Sequence, residues 1–219
     1  MGDEIIDQLN LKASDAVLDI AGGTGEPGLT IASIVKNGKV IITDLAEEML
    51  AIAAENATRK NITNVETKVC DVCELPFADN SFDAISCRFG YMFFPDLLLA
   101  TREMARVLKP GGRIAVSVWG PPEKNFWVTA VGGTINQNMQ LDPPPPGAPG
   151  MFRCAEPEMI QGLFKAAGLK QTGEKEVNSS LNLESTEVYW NMMTEVAAPF
   201  VAALSKADTE MKTKIKGEV

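Results

Sequence analysis

A glycine-rich turn near the N-terminus contains the residues whose types and spacing best suit chemistry. Residues 23 to 28 match the pattern G-x-G-x-x-G, after a short apolar run and before a helical pattern. Glycine tolerates a positive φ and lets a ligand contact the backbone, and N–H groups at a helix start then face that ligand. The turn therefore predicts a cofactor site, either for a nicotinamide or flavin dinucleotide or for S-adenosylmethionine.

Three carboxylates at the ends of predicted strands help to distinguish these cofactors. Asp44 fits both, because a carboxylate at that position accepts the ribose hydroxyls. Asp19 faces the turn, where it would repel the phosphates of a dinucleotide and attract the ammonium and sulfonium of S-adenosylmethionine. Asp71, followed by Val72, lies where an acid accepts from the adenine amino group. Acids at such positions also cap helices or turns, but together Asp19 and Asp71 favour S-adenosylmethionine.

These side chains require elements that bring them to one edge of a sheet. Five apolar runs predict strands, at 16–20, 40–43, 65–70, 82–87 and 113–119. Helical patterns lie between them, at 28–35, 46–60 and 95–108, the last closed by the turn Lys109-Pro110-Gly111-Gly112. Alternating strands and helices predict βαβ units, and continuously apolar strands predict burial on both faces. We therefore expect an α/β fold with a doubly wound, mainly parallel sheet of the Rossmann-like class.

The pattern changes after Gly120. Helical patterns follow at 123–140, 156–167 and 184–206, and a sixth strand is predicted at 169–177. The segment DPPPPGAPG at 142–150 is expected to be extended or turn-like, because proline fixes φ and has no N–H to donate. We expect one domain over residues 1–219, with a helical and proline-rich insertion at 121–153 on the substrate side of the sheet.

Composition excludes several classes of function. The 219 residues include no histidine, which excludes Ser-His-Asp and Cys-His catalysis and histidine-ligated metals. With 20 Lys and Arg against 29 Asp and Glu the net charge is −9, so neither nucleic acid nor an anionic membrane is an expected partner. No apolar run approaches the roughly 18 residues of a membrane-spanning helix.

Cysteine usage and the N-terminus indicate the compartment. Cys70 and Cys73 form a C-x-x-C, but with no second pair and no histidine we expect no zinc site and no other metal. All four cysteines, which include Cys87 and Cys154, are expected to be reduced thiols. The first residues, MGDEIIDQLNL, have neither a basic flank nor a long apolar run and predict no signal peptide. We expect a cytoplasmic protein, whose oligomeric state the sequence does not indicate.

The motifs, in their order and spacing, resemble those of class I S-adenosylmethionine-dependent methyltransferases. Residues 17–25, VLDIAGGTG, are similar to the first motif of that family. Further motifs follow in the family's order: Thr43-Asp44, Cys70-Asp71-Val72, Leu75-Pro76-Phe77, Ser81-Phe82-Asp83-Ala84 and Leu108-Lys109-Pro110-Gly111-Gly112. Residues 87–95 and 118–122 look like signatures of the ubiquinone/menaquinone-biosynthesis-type (methyltransferase type 11) group. The resemblance covers about residues 10 to 175 and is specific for fold and cofactor rather than for substrate.

Carried over by position, the resemblance implies a set of cofactor-binding residues. Its members are Asp19, Ala21, Gly22, Gly23, Gly25, Asp44, Leu45, Met49, Asp71, Val72, Cys87, Arg88 and Phe89. The glycines would border the methionine part of the cofactor, and Asp19 would hold its ammonium directly or through water. Asp44 would bind the ribose with Leu45 beside the adenine, and Asp71 would bind the adenine edge. The residues at 87–89 leave the fourth strand where the methyl donor meets the acceptor.

Residues on the acceptor side are less constrained by the sequence. Arg88 would pair with an anionic acceptor or with an acid of the cofactor site, or would form an ion pair at the surface. Seven aromatic residues would line an apolar acceptor pocket or pack as core: Phe89, Tyr91, Phe93, Phe94, Trp119, Phe126 and Trp127. A general base would come from Tyr91, Cys87, Glu123 or Asp96, but no motif supports any of them, so the catalytic residue stays unassigned.

The resemblance implies transfer of a methyl group from S-adenosylmethionine to a small apolar or aromatic molecule. The alternatives are a non-catalytic S-adenosylmethionine-binding or scaffold protein and, less favoured, a dinucleotide-dependent oxidoreductase. Two departures from the family bear on this choice. The helices that usually precede the first strand are short or missing, and no apolar strand follows Phe200 to form the family's antiparallel seventh strand. We expect either a fragment or an incomplete pair of end strands.

Overall fold

Five strands form one parallel sheet in the computed structural model, which describes residues 2–141, 145–196 and 198–219. The strands are β1 (Ala16–Ile20), β2 (Lys39–Asp44), β3 (Val65–Val69), β4 (Phe82–Arg88) and β5 (Leu108–Ser117). Their order across the sheet is β3-β2-β1-β4-β5, and every neighbouring pair is parallel. The predicted α/β fold with a doubly wound sheet is confirmed. In the described part of the chain no strand follows β5, so no antiparallel end strand is seen there.

Helices connect and flank the strands. They are α1 (Gly2–Leu9), α2 (Gly28–Ile34), α3 (Glu47–Arg59), α4 (Leu97–Val107), α5 (Phe126–Met139), α6 (Met159–Ala166), α7 (Thr186–Val196), α8 (Ala198–Leu204) and α9 (Thr209–Glu218), with short 3₁₀ turns at Val72–Glu74, Tyr91–Phe93 and Pro122–Lys124. Helix α4 begins at Leu97 because Asp96 Oδ1 accepts the Leu99 N–H at 2.9 Å. Of the helices in the described ranges, none is long and apolar enough to cross a membrane.

Side chains at successive positions of β1 face opposite sides of the sheet. Leu18 belongs to an apolar cluster that includes Met104 of α4, and Val17 belongs to a second cluster that includes Leu29 of α2. The central strands are therefore buried on both faces, as the continuous apolar runs predict. Asp19 faces the same side as Val17 and has no exposed surface, so this carboxylate requires hydrogen-bond partners inside the protein.

Two predicted elements differ from the structure. The sixth strand predicted at 169–177 is wrong: the segment is irregular and mostly exposed, because no neighbouring strand pairs with its backbone. Strand β5 begins at Leu108, so the predicted turn at 109–112 instead runs beside β4, with an irregular register between Phe82 and Ala84. Within the helix predicted over 184–206, the described residues are helical at α7 and α8, and residue 197 between them lies outside the described residues.

The Cα positions group into two compact units. The first unit, Met1–Trp119 with Pro149–Val177, contains the sheet with α1 to α4 and α6. The second unit, Gly120–Ala148 with Asn178–Val219, contains α5 and α7 to α9. The single domain over 1–219 with an insertion at 121–153 stays a prediction. Within the proline-rich segment, residues 142–144 lie outside the described residues.

Candidate functional site

The carboxyl ends of four strands lie at the same edge of the sheet. Ile20 pairs with Thr43, Asp44 with Val69, and Asp19 with Ser86. The chain leaves β1 toward β2 and β3 on one side, whereas β4 and β5 lie on the other, so the strand order reverses between β1 and β4. Doubly wound sheets bind ligands at this switch point. The predicted glycine turn follows β1 at that place.

Asp19 is fully buried beneath the turn. Its Oδ2 accepts the N–H of Gly28 at 2.9 Å, and its Oδ1 accepts the hydroxyl of Ser86 at 2.6 Å. Burial raises the pKa of Asp19 to about 7, although both hydrogen bonds and nearby Arg88 favour the charged form. A Cβ at Gly22 or Gly28 would lie 2.9 or 2.8 Å from Oδ2, so both positions require glycine. Asp19 therefore holds the turn in place, and its contact with a cofactor ammonium stays a prediction.

The N–H groups at the start of α2 are already engaged. Besides Gly28, Leu29 donates its N–H to the carbonyl oxygen of Gly25 at 2.7 Å. The N–H of Thr30 is donated to Glu26 Oε2 at 3.3 Å. The helix start thus offers none of these three donors to a phosphate, and a buried carboxylate occupies the first of them.

The turn itself follows an unusual backbone path. Ala21, Gly23 and Gly25 have φ values of 52°, 53° and 114°, in the left-handed region. For a non-glycine residue such as Ala21 this conformation is strained by about 1–3 kcal/mol and persists only where neighbours enforce it. One such neighbour is Gly90, where an added Cβ would lie only 2.4 Å from the Cβ of Ala21. The exit of β4 and the turn therefore fit together closely.

Asp44 links the turn to the end of β2. Its Oδ2 accepts the Gly23 N–H at 2.9 Å and its Oδ1 accepts the Ala46 N–H at 3.0 Å. Each carboxylate oxygen has a second lone pair, so Asp44 can also accept from two ribose hydroxyls. Leu45 and Met49 follow and are 67% and 45% exposed, which leaves apolar surface beside this acceptor. Asp44, which is predicted to bind the ribose, thus lies beside two other residues of the predicted cofactor set.

Asp71 has the structural role that the sequence left open. Its Oδ1 accepts the Cys73 N–H at 2.8 Å and caps the 3₁₀ turn that begins at Val72. Val72 is buried beneath it, whereas Asp71 is exposed after β3. A contact between Asp71 and an adenine stays a prediction. Both residues nevertheless lie at the sheet edge that also carries the turn.

Three predicted site residues at the exit of β4 differ in environment. Cys87 is fully buried, and burial raises the pKa of its thiol far above neutral pH. Arg88 is exposed and donates Nε–H to the carbonyl oxygen of Glu26 at 3.1 Å. Phe89, with φ of 58°, stacks on Trp119 with ring centroids 4.3 Å apart and planes 10° from parallel. This stack lies just beyond the ends of β4 and β5, at the predicted acceptor side.

Sequence reasoning missed two hydroxyls at this edge. Ser86 donates to Asp19, and Ser117 has a buried Oγ with no hydrogen-bond partner among the described residues. The carbonyl oxygen of Ser117 also accepts the Phe89 N–H at 3.0 Å. A serine in an apolar strand carries no distinguishing signal, because its partner depends on the register between strands. Both residues face the site only through the pairing of β4 with β1 and β5.

The candidate general bases find little support. Tyr91 is buried, its hydroxyl lies 2.5 Å from Thr101 Oγ1, and burial raises its pKa to about 12. Asp96 uses one carboxylate oxygen to cap α4. The buried thiol of Cys87 holds its proton at neutral pH, and Glu123 belongs to the second unit. No residue is therefore assigned as the base.

The predicted aromatic pocket residues are divided between the two units. Phe89, Tyr91, Phe93, Phe94 and Trp119 belong to the first unit, and Phe126 and Trp127 to the second. Tyr91 and Phe94 pack together in the core with ring centroids 5.5 Å apart. A cavity of about 420 Å³ lies in the second unit, between Trp190, Leu204 and Lys212, and none of its lining residues belongs to the predicted cofactor set.

The chain is similar in sequence to known methyltransferases. A sequence model of the ubiE/COQ5 methyltransferase family matches residues 2–129. A demethylmenaquinone methyltransferase of Thermus thermophilus is 33% identical over 168 residues, which cover 72% of this chain and 75% of that protein. The ubiquinone/menaquinone biosynthesis C-methyltransferase UbiE of Cellvibrio japonicus is 40% identical over 123 residues, which cover 55% of this chain and 49% of the relative.

The chain spans about half the length of the Cellvibrio relative and of similar UbiE proteins from Francisella philomiragia and Cupriavidus metallidurans. The crystal structure of the YcgJ protein from Bacillus subtilis matches with a TM-score of 0.65 at 24% identity, over 97% of this chain and 86% of that one. This last likeness shows a shared fold.

Proposed function

The chain belongs to the ubiE/COQ5 methyltransferase family, and from this premise we propose that it transfers a methyl group from S-adenosylmethionine to a small apolar or aromatic molecule. The resemblance to the ubiquinone/menaquinone-biosynthesis group is confirmed by this membership. One relative is a ubiquinone/menaquinone biosynthesis C-methyltransferase and another is a demethylmenaquinone methyltransferase, which supports a quinone-type acceptor and carbon as the methylated atom. The acceptor is then a small-molecule partner of the chain.

The observation that carries this proposal is the hydrogen bond from Gly28 N–H to the buried Asp19 carboxylate. A dinucleotide needs that donor for its pyrophosphate and would meet a negative charge beneath it. S-adenosylmethionine has no phosphate and brings positive charge to the same place. The arrangement therefore favours S-adenosylmethionine over a dinucleotide-dependent oxidoreductase.

The residues of the chain would bind S-adenosylmethionine, orient it and exclude water from the site. When bound, S-adenosylmethionine supplies an electrophilic methyl group on a sulfonium. Asp44 would accept from the ribose, Leu45 and Met49 would cover the adenine, and Asp71 with Val72 would receive the adenine edge. Gly22, Gly23 and Gly25 allow the methionine part to approach the backbone, with Ala21 fixing their path.

Methyl transfer itself requires alignment more than proton transfer. The displacement is in line at carbon and neutralises charge, so orientation and a dry environment supply much of the rate. The stacked rings of Phe89 and Trp119 provide a flat apolar wall at the exits of β4 and β5. Phe89 and Trp119 pack against the core cluster that includes Cys87, a buried thiol that keeps its proton at neutral pH. The stack would orient a flat acceptor.

We propose a cytoplasmic location, because the cysteines are expected to be reduced thiols. We propose no nucleic-acid or membrane partner, because the net charge is −9. A non-catalytic S-adenosylmethionine-binding protein is the alternative function. It is favoured by the lack of an antiparallel end strand in the described ranges and by the lack of an assigned base. Turnover distinguishes it from the enzyme.

The test is calorimetric titration of the chain with S-adenosylmethionine, S-adenosylhomocysteine and NADH. We expect micromolar binding of both S-adenosyl ligands, at least tenfold weaker in Asp44→Ala, and no heat with NADH. Asp7→Ala removes an exposed carboxylate from α1 and is the matched control. Silence with both S-adenosyl ligands from a folded chain would reject the proposal, and NADH binding would support the oxidoreductase. Methylation of a demethylated quinol by the binding-competent chain separates the enzyme from the scaffold.

A further inference from the structure

The methionine part of S-adenosylmethionine carries a carboxylate as well as an ammonium and a sulfonium. The surroundings of the turn are acidic, with Asp19, Glu26 and Asp44 all close to it. The donors of Gly28, Leu29 and Thr30 at the start of α2 are taken up by the chain. If the proposed function holds, the cofactor carboxylate therefore needs a cation from another element.

Arg88 is placed to supply that cation. It is the last residue of β4, and alternation along the strand puts its side chain on the same face as Ser86, which contacts Asp19. Its Nε–H is donated to the carbonyl oxygen of Glu26 at 3.1 Å, which fixes the guanidinium against the turn. The side chain is nevertheless exposed to solvent.

The guanidinium of Arg88 is not neutralised by its neighbours. The carboxylate of Glu26 pairs with Lys60 at 2.6 Å and also accepts from the hydroxyl of Thr30 at 2.7 Å. Asp19 is fully buried, and its two oxygens accept from Ser86 and Gly28. Within the described ranges, the two terminal amino groups of Arg88 make no hydrogen bond or ion pair. A planar guanidinium held by Nε still presents these two parallel donors, which match a carboxylate.

We propose that Arg88 binds the carboxylate of the cofactor's methionine part through its two terminal amino groups. This inference rests on the proposed function. It assigns Arg88 to the cofactor rather than to an anionic acceptor or to a surface ion pair. The carbonyl of Glu26 positions the guanidinium, so the turn and β4 recognise the cofactor together.

The test compares two ligands that differ in one group, S-adenosylmethionine and decarboxylated S-adenosylmethionine. Affinities for both are measured by calorimetry with the wild type, Arg88→Gln, Arg88→Lys and Arg102→Gln, an exposed arginine of α4 as the matched control. We expect Arg88→Gln to weaken S-adenosylmethionine by roughly 10- to 100-fold, the range of a charge-assisted pair. Its affinity for the decarboxylated ligand should stay within about twofold. Arg88→Lys should lie between, and Arg102→Gln should match the wild type.

Each other outcome has a distinct meaning. Equal weakening of both ligands by Arg88→Gln would overturn the inference, because Arg88 would then only support the turn through Glu26. Unchanged affinity of Arg88→Gln for both ligands would also overturn the inference. Arg88 would then pair with an anionic acceptor or form an ion pair at the surface. A wild type that binds neither ligand would reject the proposed function and this inference with it. Thermal unfolding of each variant checks that the chain is folded.

Discussion

Ser86 donates its hydroxyl to the buried carboxylate of Asp19 across the β1–β4 pair, with 2.6 Å between the oxygens. The other carboxylate oxygen holds the N–H of Gly28, the first residue of α2. One hydroxyl on β4 thereby supports the turn that follows β1. The two strands on either side of the switch point are joined by this short polar chain inside an apolar core.

Removing that hydroxyl should destabilise the fold. In Ser86→Ala, Asp19 loses one of two partners, so the free energy of unfolding should fall by about 1–3 kcal/mol. Urea unfolding at pH 8, where Asp19 is largely ionised, measures this change. Ser205→Ala, an exposed serine of the second unit, should change stability by less than about 0.5 kcal/mol. Equal stability of Ser86→Ala and the wild type would show that the hydroxyl does not support the carboxylate.

The raised pKa of Asp19 predicts a pH dependence of stability. Its pKa rises from 3.8 to about 7 on folding, so the folded state binds this proton more tightly than the unfolded state. The stabilisation that this proton contributes is fully present below pH 3.8 and is lost as the pH rises through about 7, by an amount on the order of 4 kcal/mol. Asp19→Asn cannot ionise and should lack this loss.

Urea unfolding of the wild type and Asp19→Asn between pH 5.5 and 8 tests this dependence. As the pH rises toward 7, the wild type should lose up to about 1.4 kcal/mol of unfolding free energy per pH unit relative to Asp19→Asn. Above pH 7 the difference between the two proteins should level off. Carboxylates such as Asp83 and Glu103 have lowered pKa values and titrate in both proteins, so they cancel in the difference. Parallel pH profiles would contradict a raised pKa at Asp19.

The close approach of Gly90 to Ala21 predicts a coupled pair of substitutions. In Gly90→Ala the new Cβ would lie 2.4 Å from the Cβ of Ala21, so we expect a loss of about 1–3 kcal/mol and weaker cofactor binding. Ala21→Gly removes the Cβ at position 21 and the strain of φ at 52°. By itself it should be neutral or slightly stabilising. The double variant should recover at least half of the loss, measured by urea unfolding. Strictly additive effects would show that the two positions do not meet.

The four cysteines should differ in reactivity. Burial raises the pKa of each thiol, so little thiolate exists at neutral pH, and access then decides the rate. With iodoacetamide at pH 8, the half-buried Cys70 and Cys73 should react before the buried Cys87 and Cys154. Mass spectrometry of peptides at increasing times measures the order. In urea all four should react alike, and early labelling of Cys87 in the native chain would contradict its burial.

Much of the first unit could be predicted from the sequence. The five strands, the glycine turn and the order of motifs follow from local apolar periodicity and from residue types that few other arrangements tolerate. The predictions are wrong where the pairing between strands determines whether a segment becomes a strand. Strand β5 starts at Leu108 because Phe82 of β4 pairs with it there. The segment 169–177 forms no strand because no strand of the sheet pairs with it. Local propensity does not contain that information.

By itself, the sequence determined the class of the protein. The glycine turn with Asp19, Asp44 and Asp71 indicated the cofactor, and the lack of histidine removed whole classes of catalyst. Only the tertiary structure decided what these residues contact. Ser86 meets Asp19 from 67 positions away, and Arg88 meets Glu26 from 62 positions away. Such contacts depend on the register of parallel strands and on the crossing of the chain between β3 and β4, which no local pattern encodes.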